Sequence, residues 1–242
     1  MIVTHAKRFG ISLILAGAAM AETPDAQMVW EQVIQAKGGR ERLHRVQSLA
    51  IYMQPAAVLM AGPATNWLCV FPDRYFEYRG TGRGGGERVL VVDLKAGRAA
   101  EDERGIPRHQ RAVSFDERER LDSMQMIFLT ETAWLTPKPE SMRRNVLSVE
   151  AGGRTYQLFL NRDHLPERVV STRSGKPKVK YDYRLAHYRA FDGIQLPARV
   201  TLIENNREEN WDVDYEIDPK YNPKMFERLP DLQKGPEPWR QR

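Results

Sequence analysis

A single cysteine, Cys69, in 242 residues rules out an internal disulfide and a thiolate-based metal cage. It sits in Asn66-Trp67-Leu68-Cys69-Val70-Phe71, an apolar strand-like run, so a buried and inert thiol is expected. Catalytic spacing is equally scarce. After residue 21 the histidines are His44, His109, His164 and His187, with no H-E-x-x-H pair to hold a metal. Ser123 and Ser141 lie in no G-x-S-x-G turn, and the acidic pairs Glu101 and Asp102 or Glu208 and Glu209 fall in polar stretches where solvated faces are expected. Gly80-Thr81-Gly82-Arg83-Gly84-Gly85 matches G-x-G-x-x-G in form. Glu87 to Asp93 then reads as a strand rather than the helix a dinucleotide needs, so the run is a hairpin loop. No cofactor and no enzyme activity are implied.

Long apolar runs are missing too. The longest near the start, Phe9 to Ala19, follows Lys7 and Arg8, spans 11 residues and closes on Ala19-Met20-Ala21. That is the pattern of a cleaved secretory signal peptide over residues 1–21, too short for a membrane span of roughly 20 residues. A periplasmic location is therefore expected. Without it the chain carries 35 basic and 32 acidic residues, a net charge of +3, too small to argue for nucleic acid. The remaining 221 residues read as one domain over 22–229 and a flexible tail over 230–242.

Thr23-Pro24 marks a helix start, with Ala26, Val29, Trp30, Val33 and Ile34 at helical spacing up to Gly38-Gly39, and a second short helix runs from Arg40 toward Val46. From Ser48 to Asp93 the period falls to about two, giving strands divided by proline and glycine turns. Arg98 to Arg111, rich in charge and poor in apolar residues, reads as an exposed loop. A helix is expected over Asp116 to Thr132, its stripe of Leu121, Met124, Ile127 and Phe128 widened by Met126 and Leu129.

Beyond Pro139, hairpin turns fall at Gly152-Gly153, Ser174-Gly175 and Asp192-Gly193. Val179, Tyr181, Tyr183 and Leu185 oppose Lys178, Lys180, Asp182 and Arg184, while Trp211, Val213, Tyr215 and Ile217 oppose Asp212, Asp214 and Glu216. The fold class that follows is α+β and mainly antiparallel: about ten strands, one face wet, curling into an incompletely closed barrel whose mouth or lumen the helices cover.

Ala36-Lys37-Gly38-Gly39-Arg40-Glu41-Arg42-Leu43 leading to Val46-Gln47-Ser48-Leu49 is similar to the opening of the LolA/LolB-like superfamily of periplasmic lipoprotein carriers. So are Leu158 to Asn161, Leu165-Pro166-Glu167-Arg168, Tyr181-Asp182-Tyr183, Phe191 to Pro197 and the closing Tyr221-Asn222-Pro223-Lys224-Met225-Phe226. The middle, Gly80 to Thr132, departs from that pattern. The resemblance implies an unclosed antiparallel barrel with a helical lid over an apolar cavity that takes acyl chains.

A non-enzymatic carrier of a lipid, lipidated protein or other amphiphile is the leading expectation. Tyr181, Tyr183, Trp211, Val213 and Tyr215 would form the wall, with Met124, Ile127 and Phe128 on the lid. Arg79, Arg83 and Arg88, and Arg173, Lys176, Lys178 and Lys180, are candidates for transient contact with anionic headgroups. The alternative is a cell-envelope interaction module with a filled barrel and a protein partner. Cavity against packed interior separates the two.

Overall fold

The computed structural model describes residues 25–56, 64–80, 87–103, 106–173, 176–204 and 207–227. The expected signal peptide, the tail from 230 and most of the glycine-rich turn lie outside them. Helix α1 (Ala26–Lys37) is capped by Asp25, whose side chain accepts the Gln27 amide, one residue past the expected Thr23-Pro24 start. Gly38, at φ 126°, ends it, and α2 (Arg40–Arg45) follows.

The strands are β1 (Ser48–Pro55), β2 (Thr65–Val70), β3 (Arg74–Arg79), β4 (Arg88–Asp93), β5 (Arg98–Glu103), β6 (Ile106–Ala112), β7 (Lys138–Arg143), β8 (Val146–Ala151), β9 (Arg154–Leu160), β10 (Pro166–Arg173), β11 (Lys176–Phe191), β12 (Ile194–Glu204) and β13 (Arg207–Ile217). They form one antiparallel sheet of 13 strands, in the order β6-β5-β4-β3-β2-β1-β13-β12-β11-β10-β9-β8-β7. Two meanders thus meet where β1 pairs β13, from Leu49 opposite Ile217 to Pro55 opposite Trp211. Register shifts in β5, β7 and β10, and a φ of 56° at His187 inside β11, mark irregularities of the kind that bend strands. Strands β6 and β7 are the two edges, so the curved sheet does not close on itself.

The expected loop over Arg98 to Arg111 is instead the β5–β6 hairpin. Its charges hid the period: Ala99 is buried in the core and Arg88 bonds Glu101 across the ladder at 2.8 Å, as an edge hairpin tolerates. The expected single helix over Asp116 to Thr132 is also corrected. Helix α3 (Phe115–Met124) passes into one turn of π-helix (Gln125–Leu129), ended by Thr130 at φ 74°.

All five π-helical residues are buried. With Trp30, Val33 and Ile34 of α1 they fill the concave side of the sheet, against Leu49, Val149, Leu158 and Leu196. Lys37, fully buried at the end of α1, donates its Nζ to the Phe128 carbonyl oxygen at 2.7 Å and to that of Gln195, tying the π turn to β12. Burial lowers this ammonium to about 7. Glu131, also fully buried, accepts from Trp30 Nε1 at 3.0 Å and Arg40 Nε at 2.6 Å, and meets His44 Nε2 at 2.7 Å.

The expectation of one wet face fails at β2, β3 and β4. Ala50, Leu68, Val70, Phe76, Val89 and Val91 form a second apolar cluster on the outer side, covered by Met225 and Phe226 of a short 3₁₀ turn (Pro223–Phe226). Cys69 is buried in β2, and desolvation pushes its thiol up to about 12.

Candidate functional site

Helix α3 lies in the connection that leads from edge strand β6 to edge strand β7, and its sequence determines how it is attached. Phe115-Asp-Glu-Arg-Glu-Arg-Leu-Asp-Ser-Met124 contributes one buried aliphatic side chain, Leu121, alongside buried Glu117, Glu119 and Asp122. At its start, Ser114 and Glu117 form a capping box, and Arg111 of β6 also bonds the Glu117 carboxylate. Burial opposes ionisation of Glu117, but Arg111 and the Ser114 donors outweigh it and hold the carboxyl at about 2.

On one flank, Arg118 Nη1 donates to the Pro72 carbonyl oxygen at 3.0 Å, and Arg120 Nη1 to Glu77 of β3 at 2.8 Å. On the other, Glu119 accepts from Arg154 Nη2 of β9 at 2.7 Å, and Ser123 and Tyr156 hydroxyls meet at 3.2 Å. Charged pairs, more than apolar area, hold this helix over the sheet.

Beneath α3 the eight expected wall and lid residues separate into two groups. Ile127, Phe128, Val213 and Tyr215 are buried core, with Phe128 and Tyr215 rings edge to face at 5.6 Å and the Tyr215 hydroxyl donating to the Pro197 carbonyl oxygen at 2.7 Å. In this structure these four side chains pack as core.

Met124, Tyr181, Tyr183 and Trp211 behave differently: each keeps accessible surface while Met124, Tyr183 and Trp211 rest against the core. Register places Tyr181, Tyr183 and Trp211 toward one end of the sheet. Tyr183 lies opposite Leu202, Val200 opposite Trp211, Ile51 opposite Trp67 and Trp67 opposite Glu77, all toward the end of the sheet where β1, β3, β5, β10 and β12 finish. Their accessible surface lies toward that distal end, where α3 reaches Glu77 of β3 and Arg154 of β9.

Two arginines stand there. The Arg120 guanidinium lies 5.8 Å from the Trp67 ring centre, and that of Arg154 5.4 Å from that of Tyr181. Tyr183, whose hydroxyl is pushed well up by burial, is within electrostatic reach of both. Arg154 is 5% exposed, and its Nε and Nη1 have no hydrogen-bond partner among the described residues. The buried Tyr75 hydroxyl, beside Arg120, has none either. Asp122 is raised by burial, with Arg118 opposing.

Sequence reading missed Arg120, Arg154, Glu77 and Trp67. For two of them the signal was parity: Arg154 alternates with Tyr156 and Leu158, and Glu77 with Tyr75, so both had to point inward.

Of the basic residues singled out in sequence, Arg79 and Arg88 face each other across β3 and β4 at the same distal end, bridged to Glu77 at 3.6 Å and Glu101 at 2.8 Å. Arg173 and Lys176 end and begin strands there too. Arg83 lies outside the described residues.

A separate groove of about 990 Å³ lies on the outer side of the sheet, lined by Tyr52, Asn66, Arg189, Arg199, Asp212 and Asp214 among others. Its charges are matched internally, Arg199 to Asp212 at 2.8 Å and Arg189 to Asp214 at 3.9 Å. It is the polar hollow of a bent sheet.

Among solved structures the chain is similar to a LolA superfamily protein from Nitrosomonas europaea, with 11% identity and a TM-score of 0.49 over 84% of this chain and 97% of that one. It is also similar to a DUF1329 family protein from Desulfovibrio piger, with 10% identity and a TM-score of 0.38 over 84% and 98%. No family model matches the sequence, and no curated protein does.

Proposed function

We propose that the chain is an exported periplasmic binding protein, not an enzyme, that holds a lipid, a lipidated protein or another amphiphile against the distal end of the inner face with α3 as its cover. The observation that carries this reading is the partial exposure of Tyr181, Tyr183 and Trp211 on the inner face and of Met124 on α3, a helix held by ion pairs. Ion pairs regain hydration when broken, so such a helix lifts at lower cost than one sealed by apolar packing. Burying about six methylenes contributes roughly 5 kcal/mol at ~0.8 kcal/mol each. That suffices for binding and for release. The basic strand ends at the same rim favour transient contact with an anionic membrane. No helix among the described residues is long and apolar enough to cross one.

The full burial of Ile127, Phe128, Val213 and Tyr215 favours the second reading, a filled barrel that docks a protein partner through edge β6 or β7. Native mass spectrometry of the protein from its own periplasm, with lipid extraction, decides between them. A stoichiometric amphiphile lost in Trp211→Glu, with the fold intact by circular dichroism, supports the carrier. An empty protein that also refuses fluorescent acyl probes supports the module.

A further inference from the structure

We infer that the amphiphile's polar end is an oxyanion, a carboxylate or a phosphate, and that Arg154 receives it. This rests on the binding reading above and names the ligand's chemical class.

Arg154 is an inward-facing arginine at a position whose strand neighbours, Tyr156 and Leu158, are fully buried core. A guanidinium there is desolvated, and its only hydrogen bond among the described residues is from Nη2 to Glu119. Nε and Nη1 remain, both buried and both unpartnered among those residues. Buried donors are nearly always satisfied, so an unmet pair on a cation is an acceptor site for an anion. The guanidinium lies over the Tyr181 ring, 5.4 Å from its centre, and Nε and Nη1 offer two donors to a carboxylate or phosphate.

The chain of the ligand has a path away from this point. Tyr181 and Tyr183 share one side of β11, and Tyr183, Leu202 and Trp211 continue across β12 to β13. Arg120, stacked on Trp67, adds a second positive charge along that path. Opposing carboxylates belong to Glu119 and Asp122 of α3 and Glu77 of β3. Glu77 is engaged by Arg120 and Glu119 by Arg154, so Glu119 is the anion a ligand has to displace or share.

The test measures dissociation constants for dodecanoate, dodecyl phosphate, dodecanol and dodecyltrimethylammonium by displacement of a fluorescent acyl probe, with acetate and inorganic phosphate as chainless controls. The wild-type protein is expected to bind one or both anionic amphiphiles at least tenfold more tightly than dodecanol, with the chainless anions not competing. Which of the two binds identifies the headgroup. Arg154→Met should bring the ratio near one, and Arg154→Lys should retain part of it. Glu119→Gln keeps an acceptor for Nη2 but removes the competing charge, so anion affinity should rise several-fold while dodecanol affinity stays unchanged. A merely structural Glu119 would weaken all ligands together.

An unaltered ratio in folded Arg154→Met, or uniform weakening in Glu119→Gln, overturns the inference while leaving amphiphile binding intact. If Arg154→Met does not fold, Glu119→Gln decides. Failure of every probe to bind the wild-type protein overturns the binding reading and this inference with it.

Discussion

Gly38 and Gly193 are pressed together: a Cβ on Gly38 would sit 2.5 Å from the Gly193 carbonyl oxygen. The end of α1 is thereby seated on the β11–β12 turn, and Arg42 extends the contact by donating to the Gly38 carbonyl oxygen at 2.8 Å. Gly38→Ala must both move that turn and hold φ at 126°, so a loss of about 2–4 kcal/mol is expected in urea unfolding. Gly39 has no such neighbour, with the nearest atom 3.7 Å from its built Cβ. Gly39→Ala should cost only about 1 kcal/mol, from its φ of 89°.

Lys37 should give the protein an unusual alkaline profile. Its folded value is lowered to about 7 from an unfolded value near 10.5. The unfolded chain therefore binds the proton first, and the stability present above 10.5 is lost as pH falls toward 7. The swing is on the order of 5 kcal/mol at ~1.4 kcal/mol per pH unit. Lys37→Met removes it, so the stability lost on substitution should be largest near pH 10 and smaller near pH 7, as read by urea midpoints across that range.

Glu131 gives a pH dependence of the same sign in the acid range, by a different cause. Burial disfavours its charge, but Arg40, His44 and Trp30 overcome this and keep the carboxyl below its ordinary value. Its stabilisation is present above the unfolded carboxylate value and fades as pH falls through the lowered one. Glu131→Gln should cost about 2–4 kcal/mol at pH 7 and progressively less in acid, because three donors lose a charged acceptor. Thermal unfolding at pH 7 and pH 3 checks both halves.

The attachment of α3 should be separable from the core. Ser114→Ala breaks the capping box and should cost about 1 kcal/mol. If α3 is the cover, the same change should speed uptake of an acyl probe in stopped flow while leaving the protection of π-helical amides in hydrogen exchange unchanged. Equal loss of protection in both segments would mean that α3 and the π turn open as one unit.

Periodicity made much of this legible. The hairpins at Gly152-Gly153 and Asp192-Gly193 form as expected, and Tyr181, Tyr183 and Trp211 face inward because alternation leaves them no other side. The Gly38-Gly39 and Asp192-Gly193 segments, each noticed separately, turn out to be two halves of one contact. Hydrophobicity misled at Arg98 to Arg111, where a cross-strand charge pair stands in for an apolar one, and at Gln125 to Leu129, where a wide stripe suggested one continuous helix and the chain instead makes a π turn.

By itself, then, the sequence determined the elements that depend on neighbours along the chain: the helix ended by Gly38, the alternating strands and the turns between them. Only the tertiary structure decided which inward-facing aromatics are sealed and which stay accessible, and that Arg154 is left with unmet donors. Those outcomes depend on what arrives from distant parts of the chain. The π turn brings Phe128 to Tyr215, and α3 brings Glu119 to Arg154 from 35 residues away. Alternation fixes the direction of a side chain, whereas burial and hydrogen bonding are fixed by what packs against it.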